Sequence, residues 1–157
     1  METKMVNLHI NGIPVTVPEG TTVLEAARDA GINIPSLCYL KGINEIGACR
    51  ICVVEVKGAR SLMASCVYPV SEGMEVFTNT EKVRQSRRLT LELILSNHRM
   101  DCLTCARSGQ CELQDLARDL GIDAVRYAND QLLPQIEDSA LHLVRDNSKC
   151  VLCRRCT

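Results

Sequence analysis

The chemistry of this chain is concentrated in ten cysteines and one histidine, which fall into three groups with spacings suited to metal ligation. The first is Cys38, Cys49, Cys52 and Cys66, in the order C-x10-C-x2-C-x13-C. Four thiolates are what a [2Fe-2S] cluster requires, and a C-x2-C pair late in a glycine-containing loop lets backbone N–H groups point at the sulfides. The first interval is longer than in the plant-type C-x4-C-x2-C arrangement, so that motif alone does not identify the site. A structural zinc ion with four cysteine ligands is the competing reading. Such sites usually use two close pairs, and this group has one.

The second group is His98, Cys102, Cys105 and Cys111, in the order H-x3-C-x2-C-x5-C. A lone histidine beside apolar helix positions is ordinarily a packed residue. Three nearby thiolates change that weighting, because a cubane [4Fe-4S] cluster needs four ligands and a neutral imidazole nitrogen supplies the missing one. By spacing alone, zinc held by three cysteines and a histidine competes. Replacing an anionic thiolate by imidazole lowers the negative charge of the site, which is expected to raise its potential over an all-cysteine analogue. The third group, Cys150, Cys153 and Cys156, has the run C-x2-C-x2-C, which offers three thiolates to three corners of a cubane. The bacterial ferredoxin run continues with a fourth cysteine, whereas here Thr157 follows, so this site is expected to be incomplete, and empty or disordered unless a fourth ligand is supplied.

Composition narrows the function classes. Lys and Arg number 18 against 19 Asp and Glu, and there is no Trp, one Phe and three Tyr. Neither the basic excess nor the aromatic platforms of a nucleic-acid surface are present. No apolar run follows a basic start at the N-terminus, and the stretch from Leu89 to Leu95 is too short and too polar to span a bilayer. The expectation is a soluble, cytoplasmic protein with no direct membrane span, whose thiols stay reduced and available to metals. Thiol-disulfide chemistry at Cys49/Cys52 or Cys102/Cys105 would need a βαβ context that the pattern does not give. No paired-carboxylate site, Ser/His/Asp arrangement or Gly-rich phosphate loop is visible, so no catalytic centre is expected. His9 and His142 read as structural or exposed, Glu112 and Asp115 as polar-face residues, and Arg50, Arg60, Arg107, Arg154 and Arg155 as charges that could offset anionic clusters or meet a partner, although surface charges are usually only solvated.

The elements that must position these groups can be read from periodicity. Val6, Leu8 and Ile10, then Ile13, Val15 and Val17, alternate with polar residues around Asn11-Gly12, which predicts a β-hairpin. Thr22 and Glu25 have capping-box spacing before an apolar face of Val23, Ala26, Ala27 and Ala30, predicting a helix over 23–30 with Gly31 as its stop. Residues 34–47 read as a ligand loop, and 51–56, 61–67 and 74–78 as strands, giving a small sheet gripping one helix. A helix over 81–97 is expected to link two domains, and a second runs over 111–120. Residues 129–147 read as loop with one short strand around 140–144.

These residues carry a resemblance. Pro35-Ser36-Leu37-Cys38, Gly47-Ala48-Cys49-Arg50-Ile51-Cys52, Asp101-Cys102-Leu103-Thr104-Cys105, Gly109-Gln110-Cys111-Glu112-Leu113-Gln114 and Cys150-Val151-Leu152-Cys153-Arg154-Arg155-Cys156 are similar to the N-terminal electron-input region of NAD(P)-linked [FeFe]-hydrogenase large subunits. More distantly, the chain resembles the iron-sulfur large subunit of respiratory complex I, and formate dehydrogenase subunits share the leading modules. The resemblance implies an α+β chain in three parts: a β-grasp [2Fe-2S] ferredoxin domain over 1–79, a helical [4Fe-4S] domain with one histidine and three cysteine ligands over 80–121, and a connector with the truncated start of a two-cluster ferredoxin domain over 122–157. Cys38 and Cys49 would hold one iron of the binuclear cluster and Cys52 and Cys66 the other; His98, Cys102, Cys105 and Cys111 would hold the cubane. The family commonly has proline after this histidine, where this chain has Arg99. The implied function is a one-electron relay between a flavin- and NAD(P)-binding iron-sulfur subunit and a hydrogenase-type catalytic domain or subunit, with no substrate chemistry in these residues.

Overall fold

Strands β1 (Met5–Ile10) and β2 (Ile13–Pro18) form the expected antiparallel hairpin, with Val6, Leu8, Ile10, Val15 and Val17 buried on one face. Asn11 and Gly12 take φ of 52° and 82°, the left-handed pair that a two-residue type I′ turn demands. Asn11 also reaches outside its turn. Its N–H donates to the Val76 carbonyl at 2.8 Å, its Nδ2 donates to Thr78 Oγ1 at 2.8 Å, and its Oδ1 accepts from the Thr78 N–H at 2.9 Å. The turn thereby anchors β5 (Met74–Phe77), which runs parallel to β1. The structure is a computed structural model that describes residues 4–127 and 136–156. It divides into two units, Met1–Arg87 with Arg154–Thr157, and Arg88–Cys153.

In the first unit, β3 (Val53–Val56) and β4 (Met63–Ala64) complete a five-stranded sheet in the order β2-β1-β5-β3-β4. Helix α1 (Val23–Asp29) buries Val23, Leu24, Ala26 and Ala27 in the same core as the inward residues of the sheet. Burial of a Val or Leu side chain contributes about 2 kcal/mol, so this face, and not intrinsic propensity, holds a seven-residue helix together. Thr22 Oγ1 accepts from the Glu25 N–H, as a capping residue should. The reciprocal half of the expected box is not used: the Glu25 carboxylate accepts instead from Tyr39 Oη at 2.9 Å and from Arg28 and Lys41. It ties the helix to the loop that follows Cys38.

Two expected strands are shorter than the pattern suggested. The strand read over 51–56 begins at Val53, and that over 61–67 is reduced to Met63–Ala64. The reason is visible in the hydrogen bonds of the segment after Ala64. Ser65 N–H and Oγ both donate to the Cys52 carbonyl, and the carbonyls of Ser65 and Tyr68 accept from the N–H groups of Leu24 and Val23 at the start of α1. The chain leaves the sheet in order to set Cys66 beside Cys52 and close the helix N-terminus.

Helix α2 (Glu81–Ser96) begins in the first unit and continues into the second, burying Val83 in the former and Leu91 and Leu95 in the latter. A short 3-10 turn over Cys102–Thr104 and helix α3 (Glu112–Asp119), with Leu113 buried, follow. The single strand expected over 140–144 is instead a hairpin, β6 (Ile136–Ala140) and β7 (Leu143–Asp146), whose turn is Leu141-His142. Both strands are exposed along almost their whole length, so no alternation of apolar and polar residues marked them. Residues 128–135, including Pro134 of the expected loop, lie outside the described residues. No helix among the described residues is long and apolar enough to cross a membrane.

Candidate metal centres

The loop carrying Cys38 is held from inside. Ile34, Leu37, Cys38 and Tyr39 are buried, and the buried Asn44 donates from Nδ2 to the Cys38 carbonyl at 2.9 Å. Gly47, two residues before Cys49, has φ of 66°, a left-handed conformation that favours glycine, and a Cβ there would stand a tight 3.3 Å from both Val67 methyls. Arg50, between the cysteines of the C-x2-C pair, takes φ of 58°.

All four cysteines of the first group are buried and come together in two pairs. Cys52 Sγ lies 3.3 Å from Cys66 Sγ, and the Cys49 N–H donates to Cys38 Sγ at 3.5 Å. Two thiolates bound at about 2.3 Å to one tetrahedral ion sit roughly 3.7 Å apart, so the Cys52–Cys66 contact is near the separation a shared metal asks for. The neighbouring Cys66 thiol lowers Cys52 to about 6, while the same contact and then burial push Cys66 up. Burial is also what raises Cys38. The pair releases one proton readily and holds the second, which a metal's charge is suited to displace. Arg155, which falls in the first unit, donates to the Tyr39 carbonyl at 3.3 Å, so it is held to the ligand loop.

The second group is assembled at the C-terminal end of α2. His98 N–H donates to the Leu95 carbonyl, Cys102 opens the 3-10 turn, and Cys111 immediately precedes α3. His98, Cys102, Cys105 and Cys111 line one cavity of about 170 Å³, walled on its apolar side by Leu95, Leu113 and Ala117. Nδ1 of His98 is buried with no hydrogen-bond partner among the described residues. Burial, helped by the Lys149 charge, lowers the His98 pKa and favours the neutral imidazole that ligation requires. A single zinc ion would draw four donors onto one point; donors spread around a space several waters wide suit a larger group.

The charges behind this cavity could not be read from periodicity. Arg99 donates its N–H to the Ser148 carbonyl at 2.8 Å and its guanidinium to Asp101 at 2.9 and 3.1 Å, and lies 3.4 Å from Asp146. Lys149 Nζ pairs with Asp101 at 2.9 Å and, with Arg99, holds the Asp101 carboxyl below the usual carboxylate range. The residue before Cys102 is thus bound to the residue before Cys150. Further back, within α2, Glu92 is fully buried between Arg126 at 2.7 Å and Arg88 at 3.3 Å, the first an interaction spanning 34 residues that no local pattern signals.

Of the third group, Cys150 and Cys153 fall in the second unit and Cys156 in the first. Cys150 Sγ accepts from the Leu152 N–H at 3.4 Å and from Arg145 at 3.5 Å. Leu152 and Arg154 take φ of 55° and 59° on either side of Cys153. His9 and His142 are exposed, as expected. No described cysteine is in a disulfide.

Comparison with known proteins matches two family models. The 2Fe-2S iron-sulfur cluster binding domain matches residues 3–81, and the NADH-ubiquinone oxidoreductase-G iron-sulfur binding region matches residues 87–126. The NADP-reducing hydrogenase subunit HndD of Solidesulfovibrio fructosivorans is 46% identical over 157 residues, which are 97% of this chain and 27% of that protein. The NADH-ubiquinone oxidoreductase 75 kDa subunit of Reclinomonas americana is 39% identical over 154 residues, 97% of this chain and 22% of that one. The chain spans about a quarter of the length of these relatives. Among solved structures, a chain in the crystal structure of an NAD+-reducing [NiFe]-hydrogenase in its H2-reduced state superposes with a TM-score of 0.86 at 34% identity, covering 94% of this chain and 62% of that chain.

Proposed function

Because the chain belongs, through residues 3–81, to the 2Fe-2S iron-sulfur cluster binding family and carries an iron-sulfur binding region over 87–126, we propose that it is a two-cluster relay, with Cys38, Cys49, Cys52 and Cys66 around a [2Fe-2S] cluster and His98, Cys102, Cys105 and Cys111 around a [4Fe-4S] cluster. Bound clusters supply one-electron chemistry. What the chain's own residues contribute is burial, orientation and charge. The sheet order, with β1 and β5 parallel beside α1, suits a β-grasp domain over 1–79, followed by a histidine-ligated helical domain over 80–121 and a connector over 122–157. Cys150, Cys153 and Cys156 would take a further [4Fe-4S] cluster when a fourth ligand is provided.

The observation that carries this reading is His98: a half-buried imidazole, whose buried Nδ1 has no hydrogen-bond partner among the described residues, shares one cavity with Cys102, Cys105 and Cys111. Cys38 with Cys49, and Cys52 with Cys66, would each hold one iron of the other cluster, in line with their pairing. The hydrogenase and NADH-ubiquinone oxidoreductase names of the relatives support a flavin- and NAD(P)-binding iron-sulfur subunit on one side of the relay and a hydrogenase-type catalytic domain on the other. The similarity to a [NiFe]-hydrogenase chain at 34% identity supports a module that serves different catalytic metals. Work in the reducing cytoplasm would keep its thiols available.

The test is iron and acid-labile sulfide per chain on anaerobically purified protein, with EPR of the reduced sample. About six irons with equal sulfide, resolving into one binuclear and one cubane signal, is the expected result. Zinc without sulfide would replace the relay by a structural metal module.

A further inference from the structure

Arg87 lies on α2 at the end of the first unit, and its side chain enters the core: the residue is only 6% exposed. A guanidinium stays charged and resists burial unless an anion or a set of acceptors receives it. Here Nη2 donates to the Val53 carbonyl at 2.7 Å, one residue beyond Cys52, while the buried Nε finds no acceptor among the described residues. One neutral carbonyl is a poor return for a fully desolvated cation. Burial lowers its pKa to about 10, and the charge that works against this is on Cys52.

We propose that Arg87 is the buried counter-charge of the binuclear centre, a residue that sets its reduction potential by stabilising the more negative, reduced state from its place against the Val53 carbonyl, next in sequence to Cys52. This rests on the reading that Cys38, Cys49, Cys52 and Cys66 hold that centre. Reduction by a one-electron donor adds one negative charge and breaks no bond. A fixed positive charge in a low-dielectric core favours that addition, since cluster potentials respond to net charge and burial. The effect belongs to the first cluster, because the hydrogen bond of Arg87 runs to Val53, the residue that follows Cys52.

The experiment is an EPR-monitored redox titration of the full, cluster-loaded chain with Arg87→Gln and Arg87→Lys. Gln keeps a donor for the Val53 carbonyl but removes the charge; Lys keeps the charge. The expected result is a more negative potential for the [2Fe-2S] signal in Arg87→Gln, a potential near wild type in Arg87→Lys, and an unmoved [4Fe-4S] signal in both. A purely structural Arg87 predicts lowered stability with the potential unchanged, or equal shifts in the two variants, and either result overturns the proposal. Should Arg87→Gln fail to retain the binuclear centre, Arg87→Lys decides by pH: a potential that falls with rising pH more steeply than wild type upholds it, since a buried Lys loses its charge, and parallel curves overturn it. Absence of any [2Fe-2S] signal in the wild-type chain would strike at the assignment of the cysteines, not at Arg87.

Discussion

The two units protect their candidate metal-ligating side chains in different ways. In the first, Cys38, Cys49, Cys52 and Cys66 come from distant positions and are 0 to 8% exposed, because a five-stranded sheet, one helix and a loop hydrogen-bonded to its own interior enclose them. In the second, His98, Cys102, Cys105 and Cys111 come from one short stretch and remain partly exposed around an open cavity. Leu103, between two of those cysteines, is fully exposed. Order there comes from ion pairs: Glu92 with Arg88 and Arg126, and Asp101 with Arg99 and Lys149. A packed apolar enclosure resists water and salt alike, whereas a network of half-exposed charges weakens with both. The first site is an outcome of the fold; the second is a local ligand cluster braced by charge.

If that contrast is right, the largest separable effect is loss of one cluster without the other. Cys49→Ser removes one of the four candidate thiolates and is expected to abolish the binuclear signal and about two of the six irons, with the cubane signal intact. Iron analysis and EPR on the same sample check it. Simultaneous loss of both signals would mean that the two units do not assemble their clusters independently.

A smaller effect is expected at Glu92. Its carboxyl is held below its ordinary value of 4.5, first by Arg126 and then by Arg88 against the opposing pull of burial. A lowered folded-state pKa gives stability that is fully present above about 4.5 and lost as pH falls through the lowered value. Glu92→Gln is therefore expected to unfold at a lower temperature than wild type near neutral pH, and the gap should close progressively in acid below about pH 4.5. Because both arginines are half exposed to solvent, the loss should be modest and shrink in high salt. Thermal unfolding followed by circular dichroism across that pH range checks the sign; a gap that widens in acid would contradict the ion-pair account.

What could be read in the sequence follows the same division. The hairpin was legible because Asn11-Gly12 and period-two burial are local signals, and α1 because Thr22 and the alanine face are. The same local signals overextended the strand at 61–67, where contacts with Cys52 and α1 take the backbone out of the sheet. They also missed the β6–β7 hairpin, whose residues are exposed on both faces and carry no alternation. At the candidate sites, the cysteine spacing named the side chains, but nothing local could announce Arg87 beneath Val53, Arg126 on Glu92, or Lys149 on Asp101. Long-range partners of charged residues are set by tertiary structure, and each of these arginines and lysines looks in sequence like a surface charge.

Arg99 gives the finest test of that bracing. Proline at this position would delete the N–H that reaches the Ser148 carbonyl at 2.8 Å as well as the fork onto Asp101 and Asp146. Arg99→Pro should leave iron content and the cubane signal in place, since no ligand is touched, yet loosen the segment from Leu143 to Cys150. Amide hydrogen exchange is expected to quicken there and to stay unchanged along β1 to β5. Arg99→Lys, which keeps the N–H and a single charge, should show a smaller change, because it loses only the two-pronged contact. Equal exchange in wild type and Arg99→Pro would show that β7 is held without the ion pairs. The second unit would then owe its order to packing after all, and the contrast with the first would narrow to the exposure of the ligands alone.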